Sequence, residues 1–331
     1  MIKLTSTSRT LSSTRSRGLQ RGVSLIELMV ALVISLVLIG GAIQVFSFSR
    51  RNYEVNESVV RLQETARYAL SVLEPDIRMA NSWGLSKGAD FVVPAPGLPG
   101  SNCGADFARV VSATLEASNN AYSFGCAAAD GGAVASADTL VVRRASAVPS
   151  TVTSGKLLVC STRSSIQLVQ DSTPCIANPI GQVNDLIVNA YYISRNASYL
   201  TDLPTLHRFG LVNPSTLADV AIVPGVEDMQ IQFGIDPTGN RGIAQGYVNP
   251  DAVPAGAQIV SVRLWLLVRA ETEETGYTNQ ETYEYGDRDD ANGTTDDLNA
   301  TGAAKAAYKP NDGFRRLLVS RTILIRNAMG I

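Results

Sequence analysis

The sequence predicts an α+β fold: one long N-terminal helix, membrane-like in its first half and amphipathic in its second, packed on an antiparallel β-sheet domain with long loops. Three observations predict it. Residues 28–49 contain no charged side chain, and as a helix they reach about 33 Å, enough for the hydrocarbon core of a bilayer. Apolar residues then recur at Val55, Val59, Leu62, Ala66, Ala69, Leu73 and Ile77, the three-and-four spacing of one helical face. Past residue 138 the period changes to two, and a run of strands after one helix argues for segregated α and β elements.

The first 22 residues carry Lys3, Arg9, Arg15, Arg17 and Arg21 and no acid. This charge reads as a topology signal that holds the N-terminus in the cytoplasm while the rest crosses. Because an apolar run follows at once, the basic tail is not read as a nucleic-acid arm, and no nucleic-acid partner is expected. Without it, 23 basic residues face 30 acidic ones, a net charge of about −7. Glu27 interrupts the apolar run that begins at Val23. An acid at the centre of a spanning helix costs roughly 2.5–3.5 kcal/mol, less near the interface, so its presence implies a function. Gly40-Gly41 needs no role beyond that of a membrane-helix glycine pair.

Arg50-Arg51 marks a positive boundary, and the helix is expected to continue to about residue 82. Pro75 should bend or weaken its last turn, with Asn81-Ser82-Trp83-Gly84 as the stop. The predicted organisation is a leader at 1–22, a helix at 23–82 and a β-rich domain at 83–331. Residues 86–138, rich in Gly, Pro, Ala, Ser and Asn, suggest little regular structure. Strands are expected at 139–144, 156–160, 165–169, 186–193 and 206–212. The clearest are 226–235, with Met229, Ile231, Phe233 and Ile235 on one face; 259–269, with Val260, Val262, Leu264, Leu266 and Val268; and 317–326.

Cys103, Cys126, Cys160 and Cys175 all lie beyond the apolar run. In an oxidising compartment they imply disulfides; three connectivities are open, and the shortest loops favour Cys103 with Cys126 and Cys160 with Cys175. A zinc site is not expected, since there is no C-x-x-C pair and His207 is the only histidine. His207 is assigned a structural or surface role. Residues 287–297 are acidic but out of register for an EF-hand, with Ala291 at the fifth place and Asn292 at the sixth. They read as a solvated loop, and Tyr277, Tyr283, Tyr285 and Tyr308 around it as an interaction surface or as side chains packed on the sheet. No motif for a metalloprotease, serine hydrolase, P-loop or dinucleotide fold occurs, so no enzyme activity, cofactor or metal is expected.

The run Arg21-Gly22-Val23-Ser24-Leu25-Ile26-Glu27 resembles the signal of type IV prepilins and type II secretion pseudopilins. The resemblance implies cleavage by a prepilin peptidase between Gly22 and Val23, N-methylation of Val23, and retention of the apolar helix as an anchor. Valine stands where the family usually has phenylalanine, and Ser24 where it usually has threonine. Glu27 would then pair, in an apolar filament core, with the N-terminal amine of a neighbouring subunit. Later stretches resemble the PilW family of minor pilins: residues 137–144, 226–236, 260–269, 312–316 and 325–327. That likeness implies a minor pilin in the inner membrane before assembly and at the cell surface after it. Its partners would be the major pilin, other minor pilins, the inner-membrane assembly platform and a tip adhesin, in pilus priming, adhesion or twitching motility. The alternatives are a J-type minor pseudopilin and a single-pass periplasmic binding module that never polymerises.

Overall fold

The structure, a computed structural model, describes residues 22–87, 92–94, 97–150, 156–170, 181–239, 241–287 and 307–328. The chain divides into two compact units, Met1–Glu54 and Val55–Ile331. One helix, α1 (Leu25–Arg78), supplies all the described helix of the first unit and continues into the second. Beyond it come β1 (Ser82–Trp83), β2 (Ser86–Lys87), β3 (Val92–Pro94), β4 (Leu115–Ser118), β5 (Thr139–Ala145), β6 (Leu158–Ser161), β7 (Ile166–Val169), β8 (Gln182–Ser194), β9 (Thr205–Asn213), β10 (Thr216–Pro224), β11 (Val226–Asp236), β12 (Gly246–Val248), β13 (Gln258–Arg269), β14 (Tyr283–Glu284), β15 (Ala307–Tyr308) and β16 (Arg316–Leu324).

In the second unit, α1 buries Leu62, Ala66, Ala69, Leu73 and Ile77, as the spacing predicts. Each large aliphatic side chain removed from water here contributes about 1.5–3 kcal/mol. Packing starts later than expected, since Val59 is still 38% exposed. Pro75 does not end the helix: Met79 N–H donates to Pro75 O at 3.1 Å and α1 runs through to Arg78. Burial of Leu73, Asp76 and Ile77 on either side of the proline outweighs its one missing hydrogen bond.

The expected antiparallel sheet is two. The larger runs β10-β9-β8-β6-β7-β3, with β5 pairing β8 and β4 pairing β5; the smaller runs β12-β11-β13-β16. All their pairs are antiparallel except β3 with β7. Strand β8 explains why a single sheet was too simple. Its residues Tyr191 and Ile193 face a core shared with Leu73 and Ile77 of α1 and with Met229, Ile231, Leu264 and Leu266 of the smaller sheet. Its alternate residues Leu186, Val188, Ala190 and Tyr192 face a second core.

That second core orders residues 97–138 although, as their composition predicts, they hold little regular structure. Leu98, Cys103, Ala108, Val111 and Phe124 are buried in it, β4 lies within the segment, and a disulfide joins Cys103 to Cys126. The segment covers the far face of the larger sheet, so its order comes from tertiary burial and a cross-link instead of local periodicity. Strand β10, also unanticipated, follows β9 through a two-residue turn and pairs with it antiparallel through two register shifts.

Candidate functional site

In the first unit, α1 starts just after Ser24, whose carbonyl accepts Leu28 N–H at 3.1 Å. Glu27 lies in the first turn, where a negative charge suits the helix dipole. Every described residue from Gly22 to Glu54 is exposed, including Leu25, Ile26, Leu28, Phe46 and Phe48. Nothing stands within 4 Å of where a Cβ on Gly22 would be. Among the described residues, α1 is the one helix long and apolar enough to cross a membrane, and no part of its apolar window is buried. Such a surface is unstable in water and demands lipid or other helices. The segment therefore combines an accessible Gly22–Val23 bond, one early carboxylate and an uncovered apolar rod.

In the second unit the chemistry is polar and internal. Asp76, which sequence reasoning missed, is 6% exposed. Its Oδ1 accepts from Arg144 Nη2 at 2.7 Å, and its Oδ2 from Asn189 Nδ2 at 2.5 Å and Tyr191 OH at 2.6 Å. An acid in the last turn of a helix opposes the helix dipole, so these three donors on β5 and β8 are what make it tolerable. They fasten the helix end to the larger sheet. Burial, followed by the nearby Asp76 charge, pushes the Tyr191 phenol above its ordinary range. The signal was present: Asp76 falls between Leu73 and Ile77, where the apolar face closes.

His207 is buried in β9 and not on the surface. Its Nδ1 lies 2.9 Å from Asp219 Oδ1, and its Nε2 lies 3.3 Å from Asp130 Oδ2, within ion-pair distance but outside hydrogen-bond geometry. Tyr192 packs on the imidazole and donates to Asp219 Oδ2 at 2.5 Å. Burial would raise the Asp219 carboxyl, but the bonds from His207 and Tyr192 outweigh it and hold it low. The group ties β9 and β10 to the turn at Asp130.

Asp287 corrects the solvated-loop reading at its first residue. It is 7% exposed, and its Oδ2 accepts from Asn119 at 2.8 Å and Asn249 at 2.5 Å. Residues 288–297 lie outside the described residues. Tyr283 and Tyr285 pack with Leu267 on the smaller sheet, joined by Tyr308, which favours the packing reading of the tyrosines. No cluster of three or more His, Cys, Asp or Glu suited to a metal occurs among the described residues. Cys160 is buried in β6, whereas Cys175 lies outside the described residues.

The long helix, exposed and apolar at its start with one early carboxylate, has the form of a prepilin-type N-terminus. The prokaryotic N-terminal methylation motif matches residues 17–43, spanning Gly22 and Glu27. Residues 190–327, from β8 to the end of the described chain, match the family of type IV pilus-assembly protein W. The two matched segments, one at the N-terminus and one over the later strands, are what this chain has in common with type IV pilus-assembly proteins. Among solved structures, a type IV-like pilin from Thermus thermophilus aligns at 13% identity and a TM-score of 0.35, over 82% of this chain and 98% of that one. No curated protein matches.

Proposed function

We propose that this protein is a minor pilin, made with a basic leader at 1–22 that keeps its N-terminus cytoplasmic, held in the inner membrane by the first half of α1, and cut by a prepilin peptidase after Gly22, with N-methylation of Val23. The β-rich domain at 83–331 then lies outside the membrane. On entering the filament, the apolar half of α1 joins a helical core and Glu27 pairs with the N-terminal amine of an adjacent subunit. In a medium of low dielectric an unmatched carboxylate is costly and a matched one strongly attracted, so the pair sets docking register. Together with other minor pilins the subunit sits near the pilus tip, primes assembly on the inner-membrane platform, and supports adhesin display, adhesion or twitching. The observation that carries this reading is the methylation motif at 17–43 running into an apolar helix with no buried residue in its apolar window.

N-terminal mass spectrometry of the membrane-resident and filament-borne chain tests it. The expected species begins at N-methylated Val23. Glu27→Gln should be inserted and cleaved as the parent is, yet fall about tenfold or more in sheared pili. An intact leader, or undiminished incorporation of Glu27→Gln, contradicts the proposal.

A further inference from the structure

Strand β16 ends the smaller sheet. Its pairing with β13 keeps one register from Arg269↔Arg316 to Ser261↔Leu324. Ala270 N–H donates to Arg315 O at one end of this ladder, and Ile325 N–H to Val260 O at the other. Antiparallel pairs alternate, so the backbone groups of Leu317, Val319, Arg321 and Ile323 turn to β13, and those of Leu318, Ser320, Thr322 and Leu324 turn to the open edge. Among the described residues no strand takes them.

Proteins blunt such edges. Strand β10, of equal length, has two register shifts, and the Asn102 side chain holds both Leu217 N–H at 2.8 Å and Leu217 O at 3.0 Å. The edge strands β3, β4 and β12 are three or four residues long. Strand β16 has nine residues, no bulge and no proline. Beside it runs a groove of about 400 Å³ against α1, lined by Ala66, Arg67, Leu70, Leu317, Val319 and Arg321. Glu74 is the acid there, and Arg78 and Arg321 already share it. The groove is apolar where Ala66 packs with Leu317 and Val319, with Arg67 next along the helix, and it is cationic at Arg321 by Glu74.

From this we infer that β16 is a strand-addition site whose occupant is an extended segment of a neighbouring pilin subunit. That segment places an apolar side chain against Val319 and Leu70 and, two positions on, a carboxylate against Arg321. Main-chain hydrogen bonds supply the adhesion and the groove supplies the selectivity. A second copy of this chain is the poorer occupant, because β16 carries Arg316 and Arg321 and no carboxylate to set against the same strand of its twin. The inference rests on the pilin reading.

Ser320→Pro tests it in the full chain. The Ser320 N–H points outward, so proline removes no internal bond and is tolerated on an edge, yet it obstructs an added strand. The variant should be inserted, cleaved after Gly22 and melt in detergent micelles within about 3 °C of the parent, while its share in sheared filaments falls about tenfold or more; Ser320→Ala should keep the parental share. Hydrogen exchange of the unsubstituted chain reads the same contact independently: Leu318, Ser320 and Thr322 amides should slow about tenfold or more from micelle to filament. Parental incorporation of Ser320→Pro, or unchanged exchange at those amides, overturns the inference. So does a β16-to-β16 homodimer trapped through Ser320→Cys in filaments, which would make the occupant a second copy. Absence of the parent chain from filaments would instead remove the pilin reading itself.

Discussion

Replacing Asp76 with alanine probes how the helix is held on the larger sheet. The carboxylate and its partner Arg144 are 8% and 12% exposed at their side chains, and Asp76 also receives Asn189 and the fully buried Tyr191 hydroxyl. Truncation leaves a largely buried guanidinium without its counter-charge, a loss of about 3–5 kcal/mol. The orphaned phenol and amide would each cost about 1–3 kcal/mol alone, but they overlap with the first loss because all three share one carboxylate. A total near 4 kcal/mol is expected, a shift in melting temperature on the order of 10 °C for a domain of this size. Urea unfolding of the full chain in detergent micelles, followed by tryptophan fluorescence, measures it, since Trp83 is buried just beyond the helix end. The double variant Asp76→Ala/Arg144→Met is the decisive control. With both charges gone, about half of the loss should return. A single-variant cost below about 1 kcal/mol, or a double variant as costly as the two singles added, would refute a buried charge clamp.

The remaining predictions concern the covered face and acid stability. Changing both Cys103 and Cys126 to serine opens a loop with a sequence separation of 23 and should cost about 3 kcal/mol in urea unfolding, with faster amide exchange confined to the segment over the far face of the larger sheet. Asp312 is pushed up by burial, but the bonds and charge of Arg316 outweigh this and hold it below the ordinary carboxylate range; Asp236 is held low in the same way by Arg241 N–H, the Thr238 hydroxyl and Gly242 N–H. A carboxyl depressed on folding adds stability above its unfolded value of 3.8 and loses it as pH falls toward the folded value. Asp312→Asn should therefore be less stable than the parent near pH 7 and decline less between about pH 4 and pH 2; parallel curves would contradict the pairing. Asp138 works oppositely: burial, with Asp287 and Asp228 nearby, raises it well above 3.8, so it costs stability as pH rises from that value.

Particular residues show where sequence reading succeeds. Leu62, Ala66, Ala69, Leu73 and Ile77 are legible because a 3.6-residue period and a single buried stripe are the same fact. Met229, Ile231, Phe233 and Ile235 are legible for the analogous reason in a strand. Glu27 stands out because the residues around it are uniformly apolar. The partners of Asp76, His207 and Asp287 are not legible, because they lie 113, 12 and 168 positions away in the sequence. Strand β10 escaped because the alternation of Thr-Leu-Ala-Asp-Val-Ala-Ile-Val is shallow, and pairing to β9 rather than local pattern specifies it.

The sequence by itself determined the basic N-terminal stretch, the long apolar run with its one early acid, the helical stripe and the faces of the later strands, since each depends on periodicity or charge within one stretch of chain. Only the tertiary structure decided that the strands divide between two sheets, that the disulfide-bonded segment covers a second core, that Asp76 ties helix to sheet and that β16 has no strand on its outer side among the described residues. Those features depend on which distant segments meet, and local pattern carries no record of that choice.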